Sequence, residues 1–251
     1  GFIGGGRITK IFLQALANKQ IDFSSVVVCE TNSEVLNALK KQFPKIQMTD
    51  SCIMAAKQNI VFIALHPPVI METLEQIKEW ISEKTQVISL APKISIEKIA
   101  SKLGTKNIAR MIPNATSYIN KGYNPVYFST EYSSSKKQSL FEMLTMLGKT
   151  FAVTESKLEA YAIISAMLPT YFWFQWEEIQ NLGVQMGLDE KECQTAIQET
   201  LNAAIQLFYN PKLSSNEVID LIPVKPIGEH EAQISEIYQT KLMGLFEKIK
   251  P

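Results

Sequence analysis

The chain opens on a run of glycines, and this run most constrains how it can fold. Gly4 and Gly6 stand in the first two positions of the pattern G-x-G-x-x-G, and the apolar pair Phe2-Ile3 precedes them. In this pattern a strand turns directly into a helix, and the backbone can approach a pyrophosphate at the helix N-terminus. Thr9 stands where a third glycine or alanine is expected. The stretch therefore predicts a dinucleotide-binding turn, and we expect most of the first strand to lie upstream of Gly1.

Beyond this turn, short apolar runs alternate with helical patterns. Residues 8–18 carry apolar side chains at helical spacing, whereas residues 26–29 and 60–65 are runs rich in β-branched and other apolar side chains. Strands that alternate with helices in this way indicate a mostly parallel sheet wound on both faces. We therefore predict an α/β dinucleotide-binding domain of the Rossmann type over residues 1–154.

From residue 155 onward the pattern is almost entirely helical. Residues 160–176 carry no charge and are rich in aromatic side chains. Pro169 and several polar residues interrupt this run, and it is shorter than the ~20 apolar residues of a membrane span, so we predict a helix buried on all sides. A domain of this size cannot bury such a helix alone, which indicates burial against another subunit. The predicted fold is therefore α/β plus all-α, with residues 155–251 as a helical dimerisation and substrate domain.

Composition excludes several kinds of partner. The 25 basic and 25 acidic residues balance and are scattered along the chain, so nothing points to nucleic acid or to an anionic membrane. The three cysteines have neither ligand-like nor disulfide-like spacing, which predicts buried free thiols and a cytoplasmic protein. We predict no metal site, because no cluster of Cys, His and Asp has a suitable spacing.

The order of these pieces resembles the pyrroline-5-carboxylate reductase family over nearly the whole chain. The most specific match is Arg110-Met111-Ile112-Pro113-Asn114, which is similar to the family's Arg-x-Met-Pro-Asn segment and is followed by Gly122. The opening glycines, residues 59–67 and 87–91, and parts of residues 169–188 also match. The resemblance implies a homodimer or higher homo-oligomer that binds a nicotinamide dinucleotide and reduces a cyclic imine, the chemistry of proline biosynthesis.

Two departures from the family concern the substrate. Its Ser-Gly-Ser-Gly-Pro stretch is replaced by Ser-Ala-Met-Leu-Pro at residues 165–169. Its Pro-Gly-Gly-Thr-Thr loop, which holds the substrate carboxylate, is replaced by Pro-Val-Lys-Pro-Ile at residues 223–227. Pro226 removes an N–H and Ile227 a hydroxyl, so the loop lacks the family's donors. Lys225 can supply a positive charge in compensation, and we predict that it contacts the substrate.

The predicted cofactor site combines the glycine turn with the ends of neighbouring strands. Glu30 follows the second strand, close to the ~20-residue spacing at which an acidic side chain hydrogen-bonds the adenosine ribose. Its charge would repel a 2′-phosphate, and family members that use NADP tend to place Arg where Thr31 stands, so NAD is slightly favoured over NADP. The predicted cofactor-binding residues are Gly4, Gly5, Gly6, Arg7, Ile8, Glu30, Thr31, Leu65, His66, Pro67 and Ala91.

Two residues are predicted to act in catalysis. His66 replaces the family's Lys at a strand end, where ligands bind in open parallel sheets, and an imidazole can donate a proton near neutral pH. Asn114 follows Pro113 at another strand end and can orient the nicotinamide or the substrate through its amide. Each residue also has a simpler interpretation, as a polar side chain that satisfies a strand end or a turn.

Three functions therefore remain open. The first is a nicotinamide-dependent reductase that acts on a C=N or C=O carbon of a small, carboxylate-bearing substrate. The second is a reductase of the hydroxyacid or deazaflavin-dependent type, although hydroxyacid enzymes place a Lys and a nearby Asn where residues 165–175 have neither. The third is a non-catalytic NAD(P)-binding dimer, which the altered loop at residues 224–227 favours.

Overall fold

The computed structural model describes residues 1–21 and 23–251. The chain divides into two compact units, one of residues 1–167 with 245–251 and the other of residues 168–244. The first unit contains an eight-stranded sheet whose strands are β1 (Phe2–Ile3), β2 (Val27–Cys29), β3 (Gln47–Thr49), β4 (Ile60–Ile63), β5 (Gln86–Ser89), β6 (Ile108–Met111), β7 (Gly122–Phe128) and β8 (Gly148–Ala152). Its helices are α1 (Arg7–Asn18), α2 (Ser33–Gln42), α3 (Cys52–Ala56), α4 (Pro67–Ile77), α5 (Ile96–Ala100), α6 (Ser134–Thr145) and α7 (Leu158–Tyr161), which continues as a π-helical turn, Ala162–Ala166.

The strand order places the glycine turn at the point where ligands bind in such sheets. The order is β3-β2-β1-β4-β5-β6-β7-β8, and the strands from β3 to β6 are parallel. Strand β7 is antiparallel to β6, and β8 is parallel to β7. The winding reverses between β1 and β4, and ligands bind outside the carboxyl ends of the strands at such a switch point. The predicted α/β fold is confirmed.

The two residues of β1 show how helices cover both faces of the sheet. Successive side chains of a strand point to opposite faces. Phe2 packs against Phe12 of α1 and Phe62 of β4, with ring centroids 5.9 and 4.8 Å away. Ile3 belongs to the cluster on the other face, which includes Ile70 of α4. Because both faces are covered, the central strands are apolar at nearly every position.

A disulfide joins two of the three cysteines. Cys29 ends β2 and Cys52 begins α3, and their Cα atoms are 5.1 Å apart. The prediction of free thiols is wrong for this pair, because a separation of 23 residues does not reveal that the two elements meet at the same edge of the sheet. Cys193 is a buried free thiol, as predicted. The disulfide removes the cysteine argument for a reducing compartment, so the cytoplasmic location stays a prediction.

The second unit is helical. It contains α8 (Trp173–Gln185), α9 (Glu190–Phe208), α10 (Ser215–Asp220) and most of α11 (Glu231–Ile249), with 3₁₀ turns at Leu168–Tyr171 and Gly228–His230. Gly183 allows α8 to approach α9 closely, because a Cβ at this position would lie 2.7 Å from the Sγ atom of Cys193. A capping box formed by Asp189 and Glu192 begins α9. The all-helical character predicted for the C-terminal part is confirmed.

The prediction of one helix buried on all sides over residues 160–176 is wrong for the single chain. The segment is divided among α7, the π-helical turn, a 3₁₀ turn and the start of α8. Pro169 lies in that 3₁₀ turn. Because proline lacks the backbone N–H that a continuous helix requires, it interrupts the helix at this position. Trp173 and Phe174 are 48% and 65% exposed. Within the described part of the chain, no helix is both long enough and apolar enough to cross a membrane.

The boundary between the two units lies later than the predicted one between residues 154 and 155. Glu155 and Glu159 form ion pairs with Arg110 of β6, which fastens the following residues to the sheet. Leu158 also packs against Ile112 at the end of β6. The helical pattern therefore begins before the chain leaves the first unit, and the predicted division into domains at residues 154 and 155 stays a prediction.

Candidate functional site

The glycine turn between β1 and α1 requires glycine for its shape and leaves space on one side. Gly4 has a φ of +102°, and a Cβ there would lie 2.4 Å from the carbonyl oxygen of Ala64. Gly6 is the N-cap of α1, and a Cβ at Gly6 would have no described atom within 4 Å. The turn therefore presents backbone and the positive end of the α1 dipole to an open space, the arrangement that binds phosphate groups.

Thr9 replaces the third glycine of the pattern and is fully buried. Its hydroxyl donates a hydrogen bond to the carbonyl oxygen of Gly4 at 2.6 Å. This bond connects the first turn of α1 to the glycine turn, so threonine holds the helix close to the strand in place of a small residue.

The Glu30 carboxylate is part of the glycine turn. Its Oε2 atom accepts a hydrogen bond from the Gly5 amide at 2.8 Å, and its Oε1 atom accepts one from the Asn32 amide, also at 2.8 Å. Thr31, between them, is exposed. A fixed carboxylate at the end of the second strand can accept hydrogen bonds from ribose hydroxyls and repels a 2′-phosphate.

A cavity of about 740 Å³ opens at the switch point, within the first unit. Its volume lies within the range of roughly 300–1,000 Å³ that is typical of small-molecule sites. Of the predicted cofactor-binding residues, those that line it are Gly5, Gly6, Arg7, Ile8, Leu65, His66, Pro67 and Ala91. Gly4, Glu30 and Thr31 are not part of the lining, but Gly4 belongs to the glycine turn, and Glu30 adjoins the lining through its bond to Gly5. The structure thus brings most of the predicted set together.

The cavity also has walls that sequence reasoning missed. Val35, Ala38 and Gln42 line it from one face of α2, and their i, i+3, i+7 spacing was the signal that could have found them. Lys10, one turn into α1, adds a second basic side chain beside Arg7. The lining contains no carboxylate among the described residues, so its charge suits a pyrophosphate.

His66 lies at the cavity as the N-cap of α4, directly before the Pro67 that begins the helix. Its side chain is exposed and does not cap the helix. No group of three potential metal ligands forms in the described ranges, 1–21 and 23–251. The predicted contact between His66 and a bound molecule stays a prediction.

Asn114 lies behind the wall of the cavity and holds part of it in place. Its Oδ1 atom accepts a hydrogen bond from the Thr116 amide at 2.9 Å, and its Nδ2 atom donates to the carbonyl oxygen of Ser165 at 3.0 Å. Ser165 belongs to the π-helical turn, and Ala162 and Ala166 of that turn line the cavity. The geometry supports a positioning role, and the predicted direct contact of Asn114 with nicotinamide or substrate stays a prediction.

Lys225 belongs to the second unit. Its ammonium lies 3.8 Å from the Glu231 carboxylate, and its carbonyl oxygen accepts a hydrogen bond from the Gly228 amide at 3.0 Å. This bond closes a turn with Pro226 and Ile227 at its centre, and proline suits that place because its φ is already that of a turn. The predicted role of Lys225 in binding substrate stays a prediction.

In sequence, the chain is similar to nicotinamide-dependent reductases. A family model described as NADP oxidoreductase, coenzyme F420-dependent, matches residues 1–93. The pyrroline-5-carboxylate reductase of Staphylococcus saprophyticus is 24% identical over 252 residues, which cover 98% of this chain and 92% of that protein. The resemblance predicted from the opening glycines and the segment around Arg110 is therefore confirmed along nearly the whole chain.

Solved structures share the fold. The pyrroline carboxylate reductase of Plasmodium falciparum, solved with NADP bound, aligns with a TM-score of 0.78 at 19% identity, over 99% of this chain and 94% of that one. The 1-pyrroline-5-carboxylate reductase of Streptococcus pyogenes aligns with a TM-score of 0.75 at 18% identity, over 99% of this chain and 95% of that one. The predicted combination of a Rossmann-type sheet with a helical C-terminal part is thus a fold already known.

Proposed function

We propose that this chain, a divergent member of the pyrroline-5-carboxylate reductase family, is an NAD(P)-dependent reductase that transfers hydride to the C=N carbon of a small imine bearing a carboxylate. One observation carries the proposal: a cavity of cofactor size opens at the switch point between β1 and β4, with the glycine turn at its edge. The relatives named for this reaction align over nearly the whole chain, which supports the same class of chemistry.

The residues present fit a dinucleotide. The open space over Gly6 admits a pyrophosphate to the N-terminus of α1, and Arg7 and Lys10 add positive charge there. Glu30 would hold the adenosine ribose on the β2 side of the glycine turn. The nicotinamide then belongs on the other side of the switch point, toward Ala91 and the ends of β5 and β6.

NAD is the favoured form of the cofactor in this proposal. The Glu30 carboxylate is fixed by two backbone amides, so its charge cannot move away from an incoming 2′-phosphate. Thr31 offers no positive charge to bind that phosphate. Both features lower the affinity for NADP relative to NAD.

Reduction of a C=N bond adds a hydride to carbon and a proton to nitrogen. A bound reduced nicotinamide supplies the hydride. Leu90, Ile112 and Ala162 form an apolar wall of the cavity beside which the reacting atoms would lie. His66 is the proposed proton donor, because its imidazole is exposed at the cavity and not used to cap α4.

The proposal includes a homodimer formed through the helical unit. Large apolar side chains are exposed along its helices, among them Phe174, Ile179 and Leu182 of α8 and Ile205 of α9. Monomeric proteins rarely expose many such side chains on one unit, so a second copy is the proposed cover. Light scattering during gel filtration tests this: we expect twice the mass of the chain, and a monomer at micromolar concentration would contradict the dimer.

A reductase that works with a deazaflavin coenzyme is the second candidate. The family model that matches residues 1–93 favours it. That model covers only part of the α/β unit, whereas the pyrroline-5-carboxylate reductase relatives extend through the helical unit as well. The imine reductase is therefore preferred.

Oxidation of NADH by the purified chain tests the proposal. We would supply pyrroline-5-carboxylate, other cyclic imines, keto acids and an oxidised deazaflavin in parallel, with NADPH as the alternative cofactor. We expect turnover with a cyclic imine and faster turnover with NADH than with NADPH. Turnover with the deazaflavin alone would favour the second candidate. Calorimetric binding of NADH without turnover of any compound would favour a non-catalytic dinucleotide-binding dimer.

A further inference from the structure

One end of the cavity is built from three separate segments of the first unit, and we call it the distal end. The segments are residues 90–92 after β5, residues 112–113 after β6, and residues 162–167, which include the π-helical turn. Strands β5 and β6 lie on the opposite side of β1 from β2, which leads to Glu30. On the proposed function, the distal end receives the nicotinamide half of the cofactor.

A fully buried arginine lies directly behind this end. Arg110 is on β6, two residues before Ile112, and its side chain has no exposure to solvent. Its Nη1 atom donates to the Oε1 atom of Glu155 at 3.0 Å, and its Nη2 atom donates to the Oε1 atom of Glu159. Glu159 lies one helical turn before Ala162 of the cavity wall, so these ion pairs hold the third segment against the second.

The same two carboxylates also hold the first segment. Oε1 of Glu155 accepts a hydrogen bond from the Ile96 amide at 2.7 Å, and Oε1 of Glu159 accepts one from the Lys93 amide at 3.3 Å. Lys93 follows Pro92 of the cavity wall directly. One guanidinium and two carboxylates therefore connect all three segments of the distal end.

We propose that Arg110 is a positioning residue that sets the shape of the nicotinamide half of the site through Glu155 and Glu159, without contacting the cofactor. The inference rests on the proposed function, because it assigns the distal end to the nicotinamide. A planar guanidinium can donate to two carboxylates at once in a fixed geometry, and a lysine ammonium cannot reproduce that fork. Arg110→Lys thus keeps the buried charge and changes the geometry.

Binding of two ligands separates this role from a general structural one. NADH carries the nicotinamide, whereas ADP-ribose has the adenosine, the pyrophosphate and a ribose but no nicotinamide. For Arg110→Lys, we expect the affinity for NADH to fall about tenfold while the affinity for ADP-ribose changes less than about twofold. Parallel losses of both affinities, or no loss of either, would overturn the proposal. Lys106→Met, at an exposed ion pair with Glu131, is the control and should change neither affinity.

A second variant keeps the test decisive if Arg110→Lys does not fold. Glu155→Gln alters the more exposed of the two carboxylates, which is 27% exposed, and retains an oxygen for the Ile96 amide. We expect a smaller loss of NADH affinity with ADP-ribose affinity unchanged, and parallel changes would again overturn the inference. Neither ligand needs to react, so wild-type protein that binds NADH tightly but reduces no imine would contradict the proposed function and leave this test valid.

Discussion

The backbone amide of Gly5 donates a hydrogen bond to the Glu30 carboxylate at 2.8 Å, across 25 residues of sequence. The bond joins the glycine turn after β1 to the residue that follows β2, so the glycine turn and the acidic side chain form one structure. The charge of Glu30 is therefore fixed where the adenosine ribose is proposed to bind. This relationship makes cofactor choice testable with a single substitution.

Glu30→Gln removes the charge but keeps an oxygen that can accept the Gly5 bond. We expect the affinity for NADPH relative to NADH to rise about tenfold, or ~1.4 kcal/mol, because the repulsion of the 2′-phosphate is lost. Fluorescence titration with the two reduced cofactors measures the ratio. Glu34→Gln, an exposed position in the first turn of α2, is the control and should leave the ratio unchanged. An unchanged ratio in Glu30→Gln would show that Glu30 does not select the cofactor.

Gly6→Ala tests whether the open space at the glycine turn holds the pyrophosphate. The new methyl group would enter that space and would have no atom of the described residues within 4 Å. We therefore expect the free energy of unfolding to change by no more than ~1 kcal/mol. NADH affinity should fall at least about tenfold, because the methyl group blocks the approach of the phosphates. Thermal unfolding and calorimetry measure the two quantities. Gly244→Ala, an exposed site in α11, should leave NADH affinity intact, and normal NADH binding by Gly6→Ala would contradict the placement.

The Cys29–Cys52 disulfide should stabilise the first unit. It closes a separation of 23 residues, and a loop of about this size is worth ~3 kcal/mol when cross-linked. We expect a thiol reductant to lower the free energy of unfolding by about that amount in urea titrations. Cys52→Ser should be less stable and insensitive to the reductant. Equal stability of the wild type with and without reductant would mean that the cross-link does not contribute.

The buried phenol of Tyr132 leads us to expect a loss of stability at alkaline pH. Its hydroxyl donates to the Oε1 atom of Gln86 at 2.8 Å, and burial raises the pKa of the phenol above its ordinary value. Because the folded state holds this proton more tightly, the contribution to stability is complete below a pH of about 10 and is lost as the pH rises further.

Tyr132→Phe should therefore flatten the decline of stability above a pH of about 10, while costing ~1 kcal/mol at neutral pH through the lost hydrogen bond. Urea titrations across this pH range measure both effects. Tyr118→Phe, at a residue that is 38% exposed, is the control and should keep the wild-type decline. The same decline in Tyr132→Phe would show that Tyr132 is not its source.

Much of the fold could be predicted because the sequence patterns that specify its strands and helices are local. The parallel strands are short apolar runs, since helices cover both faces of the sheet, and the helices between them keep their 3.6-residue period. The missed features depend on contacts between distant residues. Arg110 holds Glu159 to the first unit across 49 residues, and Cys29 reaches Cys52, and neither pairing has a local pattern.

The site was predictable where a backbone conformation demands one residue type. Gly4 has a positive φ, so its glycine could be assigned to a turn from the sequence. The apolar run of β4, which ends before His66, likewise placed His66 at a strand end on the other side of the cavity. The positions of side chains that point away from the cavity were not predictable. Asn114 directs its amide to Ser165 behind the wall, which depends on how the π-helical turn packs rather than on its own neighbours in sequence.

Transfer of deuterium is the most direct measurement of the central claim. Purified chain would be incubated with pyrroline-5-carboxylate and NADH that carries deuterium at both hydrogen positions of the reactive nicotinamide carbon, and the product would be analysed by mass spectrometry. We predict proline that carries one deuterium at the former imine carbon, with a slower rate from NADPH than from NADH. Tight NADH binding with no labelled proline, under conditions in which a known pyrroline-5-carboxylate reductase produces it, would contradict the claim.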